Sequence, residues 1–275
     1  YAAQSQYDLA IADFDKAIEL DPRYAGAYES RGWAYNKKGD YERAIADFDK
    51  LVELSPTAEA HASRGDAYAE QGQYDLAIAD FDKAIELDRR YAGAYESRGS
   101  AYNKKGDYER AIADFDKLVE LNPTAEAYAS RGDAYAEQGR SNQALADYNK
   151  AIELNPGFAA AYRSRGSAYV DWEDYERAIA DYDKAIELQP DNAYGYYGRG
   201  NIYYQLAQYD QALADFDKAV KLNPGFGEAY RNRGYTYAKQ SRYDQALADF
   251  VTYLKLRPNA EDRAQIERRI RASGH

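Results

Sequence analysis

Cysteine and methionine are absent from these 275 residues, and histidine occurs only twice, at His61 and His275. Without cysteine the chain can form neither a disulfide framework nor a thiolate metal site, and two histidines leave zinc short of ligands. No Ser/His/Asp or Cys/His constellation can be assembled and no Walker-type glycine loop occurs, so no catalytic residue, metal or cofactor is expected. Long apolar runs are missing too, which excludes a membrane-spanning helix, and no signal peptide is visible. Nor is there a basic face: the formal net charge is −11, leaving little to neutralise phosphates, so nucleic acid and anionic membrane surfaces are not expected partners. Such acidity serves solubility and mildly favours a basic or mixed partner. The default expectation is a soluble, cytoplasmic chain.

What is present is a repeat. Arg-Gly pairs place glycine at Gly32, Gly65, Gly99, Gly132, Gly166, Gly200 and Gly234, a step of 33 or 34 residues each time. A period in that range marks a solenoid of stacked supersecondary units. Counted from Ala25 as position 1, Tyr28, Arg31/Gly32 and Tyr35 line one face of a first helix. Tyr41, Ala44, Phe48 and Leu51 do the same for a second. Gly39-Asp40 separates the two as a stop and a cap. Pro56 ends the second helix, and all seven prolines of the chain occupy this slot. Small residues at positions 8 and 20 allow close approach, with aromatics at 4, 11, 17 and 24 filling the space between the helices.

These residues resemble the tetratricopeptide repeat: an aromatic at 4, Gly at 8, Tyr at 11, Ala at 20, an aromatic at 24 and Pro at 32, recurring seven times over nearly the whole chain. The resemblance implies an all-α, right-handed superhelical solenoid of antiparallel helix pairs. Position 7 departs from the family's usual Leu and is Arg throughout. Repeats are expected to start at residues 25, 58, 92, 125, 159, 193 and 227. Residues 1–24 are expected to hold the end of a first helix and a complete second helix, Tyr7 to Leu20. Residues 259–275 are expected to be a polar capping helix, started by Asn259 and spanning roughly 260–272, with a short tail. Opening at Tyr1 inside a repeat, the chain reads as a mature or excised piece of a longer one. Gln6–Gly72 and Gln73–Gly139 are near copies, differing at Pro22/Arg89, Trp33/Ser100, Ser55/Asn122 and His61/Tyr128.

An unpaired guanidinium on a buried stripe would be costly. Arg31, Arg64, Arg98, Arg131, Arg165, Arg199 and Arg233 at position 7 are therefore expected to pair with the aspartates at position 23. These are Asp47, Asp80, Asp114, Asp147, Asp181, Asp215 and Asp249. The result would be a structural ion-pair ladder with bidentate geometry.

The resemblance also implies that first helices line the concave, partner-binding wall through positions 2, 5, 6, 9, 12 and 13. In the N-terminal half these include Trp33, Asn36 and Lys37, with Asp66 and Glu70. Towards the C-terminus the wall becomes aromatic and amide-rich: Arg163, Tyr194, Tyr197, Asn201, Tyr204, Arg231, Asn232 and Tyr235. That cluster is the expected main site, since Tyr and Arg are enriched at interface hot spots. Family members that serve heat-shock chaperones grip a terminal carboxylate with a Lys at position 5, where this chain has Tyr197. The expected function is a non-catalytic scaffold binding a protein or peptide. The alternatives are head-to-tail self-assembly through an uncapped N-terminal end, and a regulatory segment of a larger enzyme.

Overall fold

The computed structural model describes residues 2–272, so Tyr1 of the leading half-repeat and 273–275 of the tail, with His275, lie outside the described residues. The described residues form sixteen α-helices and no strand. They divide into two compact bodies, residues 2–147 and 148–272.

The first body holds α1 (Ala2–Leu20) and three hairpins: α2 (Ala25–Lys38) with α3 (Tyr41–Leu54), α4 (Ala58–Glu70) with α5 (Tyr74–Leu87), and α6 (Ala92–Lys104) with α7 (Tyr108–Leu121). It also holds α8 (Ala125–Glu137), and the division falls inside α9 (Ser141–Leu154). The second body holds the hairpins α10 (Ala159–Asp171) with α11 (Tyr175–Leu188), α12 (Ala193–Gln205) with α13 (Tyr209–Leu222), and α14 (Gly227–Lys239) with α15 (Tyr243–Leu256). The last helix is α16 (Arg263–Ala272).

Each hairpin closes over one aromatic. Phe48, Phe81, Phe115 and Phe216 are at most 2% exposed and sit between their own first helix and its neighbours. Phe48 fits because Gly32 faces it: a Cβ at Gly32 would stand 2.8 Å from the ring. Asp40, Asp107 and Asp174 cap α3, α7 and α11 by accepting from the backbone N–H three residues on. Thr57 and Thr124 cap α4 and α8 in the same way, satisfying donors that a helix start leaves unpaired. Between the hairpin helices of the first body the chain turns through a left-handed glycine such as Gly72 (φ 79°).

Two terminal expectations are corrected. Residues 2–20 form one continuous helix rather than the end of a first helix followed by a second. Ser5 stands where Gly72 stands one copy later and lies within the continuous helix, although Ser241 makes the left-handed turn at the same repeat position with φ 61°. At the other end the helix starts at Arg263, not near 260, so Asn259 lies in the turn before it and does not cap it. The carboxylate just ahead of α16, Asp262, instead accepts from the Tyr253 hydroxyl at 2.6 Å. One face of α16 is also not polar: Ile266 is fully buried with Tyr237, Phe250 and Tyr253.

Candidate binding surface

Arginine at position 7 lies midway along each first helix. Each of the seven arginines donates Nε and Nη2 to the two oxygens of its own repeat's position-23 aspartate, at 2.6–2.8 Å. The remaining Nη1 reaches position 25 of the preceding second helix at 2.5–2.8 Å: Asp15, Asp49, Asp82, Asp116, Asn149, Asp183 and Asp217. In most repeats tyrosines at positions 4 and 11 flank the guanidinium, as Tyr28 and Tyr35 do around Arg31, at 5.7 and 6.0 Å. His61 replaces one such tyrosine, and its Nδ1 lies 3.1 Å from Asp80. The position-23 aspartates are at most 6% exposed. We propose that this ladder is structural, locking each hairpin to the one before it.

With that ladder in place, the first helices form a groove in each body. In the second body, α10, α12 and α14 enclose a cavity of about 400 Å³. Asn201, Tyr204, Asn232 and Tyr235 line it, and no charged side chain does. The Asn232 amide donates to Asn201 Oδ1 (2.8 Å) and to the Tyr197 hydroxyl (3.1 Å). Tyr197 contributes little else, because its ring packs against Phe216 and Phe226 at 6.1 and 4.7 Å.

The remaining C-terminal candidates are placed elsewhere. Tyr194 lines a separate cavity of about 610 Å³ at the start of α12, with Leu188 and Leu222, and the Arg163 guanidinium lies 5.7 Å from its ring. Arg231 turns towards Asp262 at 3.3 Å and lies over the Tyr253 ring.

The floor of this cavity escaped the sequence reading. Tyr182, 6% exposed, rises beneath it beside Gly198. A Cβ at Gly198 would stand 2.2 Å from the Tyr182 ring. A signal existed: position 24 is Phe in most repeats but Tyr here, and position 6 of the next repeat is Gly where five others have Ser. Gly198→Ala should therefore destabilise the second body by about 1–3 kcal/mol through overpacking, although alanine is the better helix former by about 1 kcal/mol. Urea denaturation checks it; a stabilised variant would show that the ring yields freely.

In the first body, α2, α4 and α6 enclose a cavity of about 590 Å³ lined by Trp33, Asn36, Lys37, Asp66, Glu70 and Glu96, among others. Trp33 also packs edge-on against Phe48 at 5.5 Å. The Asn36 amide oxygen is buried without a hydrogen-bond partner. Asp66 accepts from the Ser97 hydroxyl at 2.9 Å. Burial, with Glu70 and Glu96 nearby, pushes its carboxyl up to about 6, against that hydrogen bond and Lys37. This groove is charged where the other is neutral.

Helix hairpins stacked at a 33- or 34-residue step, with grooves between successive first helices, define a repeat scaffold. Family models described as TPR repeat match residues 65–106, 99–139, 132–171 and 166–207. Models described as tetratricopeptide repeat match 193–226 and 227–260, and 1–59. The chain belongs to the tetratricopeptide repeat family. None of the curated proteins matches it in sequence. Among solved structures it is similar to yeast Tom70, at 20% identity and TM-score 0.76 over 98% of this chain and 59% of that one. It is also similar to a chain of the APC/C hetero-tetramer Cut9-Hcn1, at 17% identity and TM-score 0.73 over 99% of this chain and 54% of that one. It therefore spans little more than half the length of either. YrrB, described as a TPR protein with an unusual peptide-binding site, is 30% identical over 66% of this chain and 95% of its own, at TM-score 0.53. Among the described residues no helix is long and apolar enough to cross a membrane.

Proposed function

We propose that the chain is a non-catalytic scaffold that binds an extended peptide or partner segment along its first helices, with the main site in the groove of α10, α12 and α14. The observation that carries this reading is the convergence of three tyrosines and two asparagines on one uncharged cavity. Tyrosine supplies large, rigid contact area, and carboxamides can both donate to and accept from a peptide backbone. The site holds no cation to meet a terminal carboxylate, so it suits an internal stretch of peptide. The likeness to YrrB, a TPR protein with a peptide-binding site, is consistent with this.

Selection of a displayed twelve-residue peptide library on the chain tests it. Selected peptides should lose about 30-fold in affinity, roughly 2 kcal/mol, when Tyr204→Ala is introduced, with helix content unchanged by circular dichroism. Recovery of no peptide, or equal binding by the variant, would sink the reading.

A further inference from the structure

The groove of α2, α4 and α6 carries a charge arrangement that the chain does not itself complete. Three carboxylates, Asp66, Glu70 and Glu96, and two ammonium groups, Lys37 and Lys104, line one cavity with Trp33 and the buried, unpartnered oxygen of Asn36. Of the charged groups acting on Asp66 only Lys37 opposes the two glutamates, and Asp66 has the Ser97 hydroxyl as its hydrogen-bond donor. A half-buried carboxylate with one neutral donor has acceptor capacity left, because an ionised carboxyl offers about four acceptor sites.

The sequence one repeat pair further on differs at two of the groove positions. Sixty-seven residues on, Lys37, Asp66 and Glu70 recur as Lys104, Asp133 and Glu137, but Glu96 is replaced by Arg163 and Trp33 by Ser100. Arg163 lies beyond the near copy Gln73–Gly139, in which Glu96 itself matches Glu29; a guanidinium stands sixty-seven residues on from the Glu96 carboxylate, and Ser100 stands sixty-seven on from the Trp33 indole. Resting on the reading of the chain as a peptide-binding scaffold, we propose that the first-body groove takes a partner segment bearing an arginine side chain. Its guanidinium would sit against Asp66 and Glu96 and beside Trp33. Arginine suits the site better than lysine because its planar fork can meet a carboxylate with two donors and lie on an aromatic face.

The groups facing Asp66 set the pH dependence. They are Glu70 on its own helix, Lys37 from α2, Glu96, Ser97 and Lys104 from α6, the Tyr91 phenol ahead of α6, and Tyr74 from α5. Asp66 is the one that titrates near pH 6, so capture of an arginine segment should strengthen between pH 5 and pH 7.

The probe is a set of four pools of capped nine-residue peptides, randomised except for a central Arg, Lys, Gln or Glu, captured on the immobilised chain. The Arg pool should be held best and the Glu pool least. Asp66→Asn should reduce capture of the Arg pool by about thirtyfold, towards that of the Gln pool. Glu42→Gln, which removes one exposed charge from α3, should leave capture unchanged. An equal loss in Glu42→Gln would mean that net charge alone is at work, and Arg and Gln pools captured alike would mean that no cation is read; either overturns the proposal. Capture lost in Tyr204→Ala but kept in Asp66→Asn would place the peptide in the other groove, overturning this proposal and leaving the scaffold reading intact. Pools unaffected by both variants would overturn both.

Discussion

Arg98→Met should destabilise the region around α6 and α7 by about 3–5 kcal/mol, the cost of leaving a buried charge without its partner. Arg98 Nε and Nη2 donate to both oxygens of Asp114 at 2.8 and 2.6 Å, and Nη1 donates to Asp82 at 2.5 Å. The hydrogen bonds to Asp114 push the guanidinium's pKa further up against its desolvation, so it stays charged. Burial pushes the Asp114 carboxyl above its usual range although Arg98 opposes the shift. Keeping that carboxylate ionised therefore costs more than its arginine returns. It follows that Arg98→Met/Asp114→Leu, which removes both charges, should recover most of the loss.

In a repeat array stability is a sum of local and nearest-neighbour contributions. The expected readout is accordingly hydrogen exchange of α6 and α7 amides, rather than a single melting temperature. A single variant that loses less than about 1 kcal/mol, the range of an exposed ion pair, would show that the ladder does not hold the hairpins.

Asp66→Asn should have the opposite sign, and only at neutral pH. The folded carboxyl titrates at about 6, against about 3.9 in an unfolded chain. The folded state therefore binds the proton more tightly. The contribution of Asp66 to stability is highest below about pH 4, falls as pH rises through the window to about 6, and is level above it, a loss of up to about 3 kcal/mol. Asparagine can keep the Ser97 hydroxyl as a partner without carrying the charge. At pH 7.5 the variant should be about 2–3 kcal/mol more stable around α4 and α6, and at pH 3.5 the two should match. Denaturation curves at the two pH values decide it. An unchanged pH slope in the variant would mean that another group carries the effect. The same buried, uncompensated charge is what an arginine from a partner would relieve, so stability and recognition are linked at this residue.

Much of the fold was legible because each repeat states it again. Tyr28, Gly32 and Tyr35 on one helix and Ala44, Phe48 and Leu51 on the next define apolar stripes at helical spacing, and Pro56 marks where the pair must stop. The helices that resulted, Ala25–Lys38 and Tyr41–Leu54, follow that pattern. The ends were less legible for a physical reason: α1 and α16 lack the signals that seven repetitions supply inside. Serine at this repeat position turns left-handed at Ser241 but lies inside α1 at Ser5, so residue type does not decide it, and Asp262 just ahead of α16 accepts from Tyr253 and Arg231, contacts that no local pattern announces. The grooves were legible as a set of wall positions but not as sites. Tyr197 and Tyr204 share a helix face pattern, yet one ring is packed against Phe216 and Phe226 while the other lines the cavity.

The amino-acid sequence by itself determined the repeat, its helix pairs, the aromatic-on-glycine packing within each hairpin and the absence of thiols. All of these depend on residue type and spacing within about 34 residues. The tertiary structure decided which side chains meet between repeats. Nη1 of each arginine reaches the preceding repeat's position 25, Tyr182 fills the space left by Gly198, and Asp66 lies close to Glu96 and Ser97. Those contacts follow from the stacking of one hairpin on the next, a distance and rotation that residue spacing along one chain does not specify.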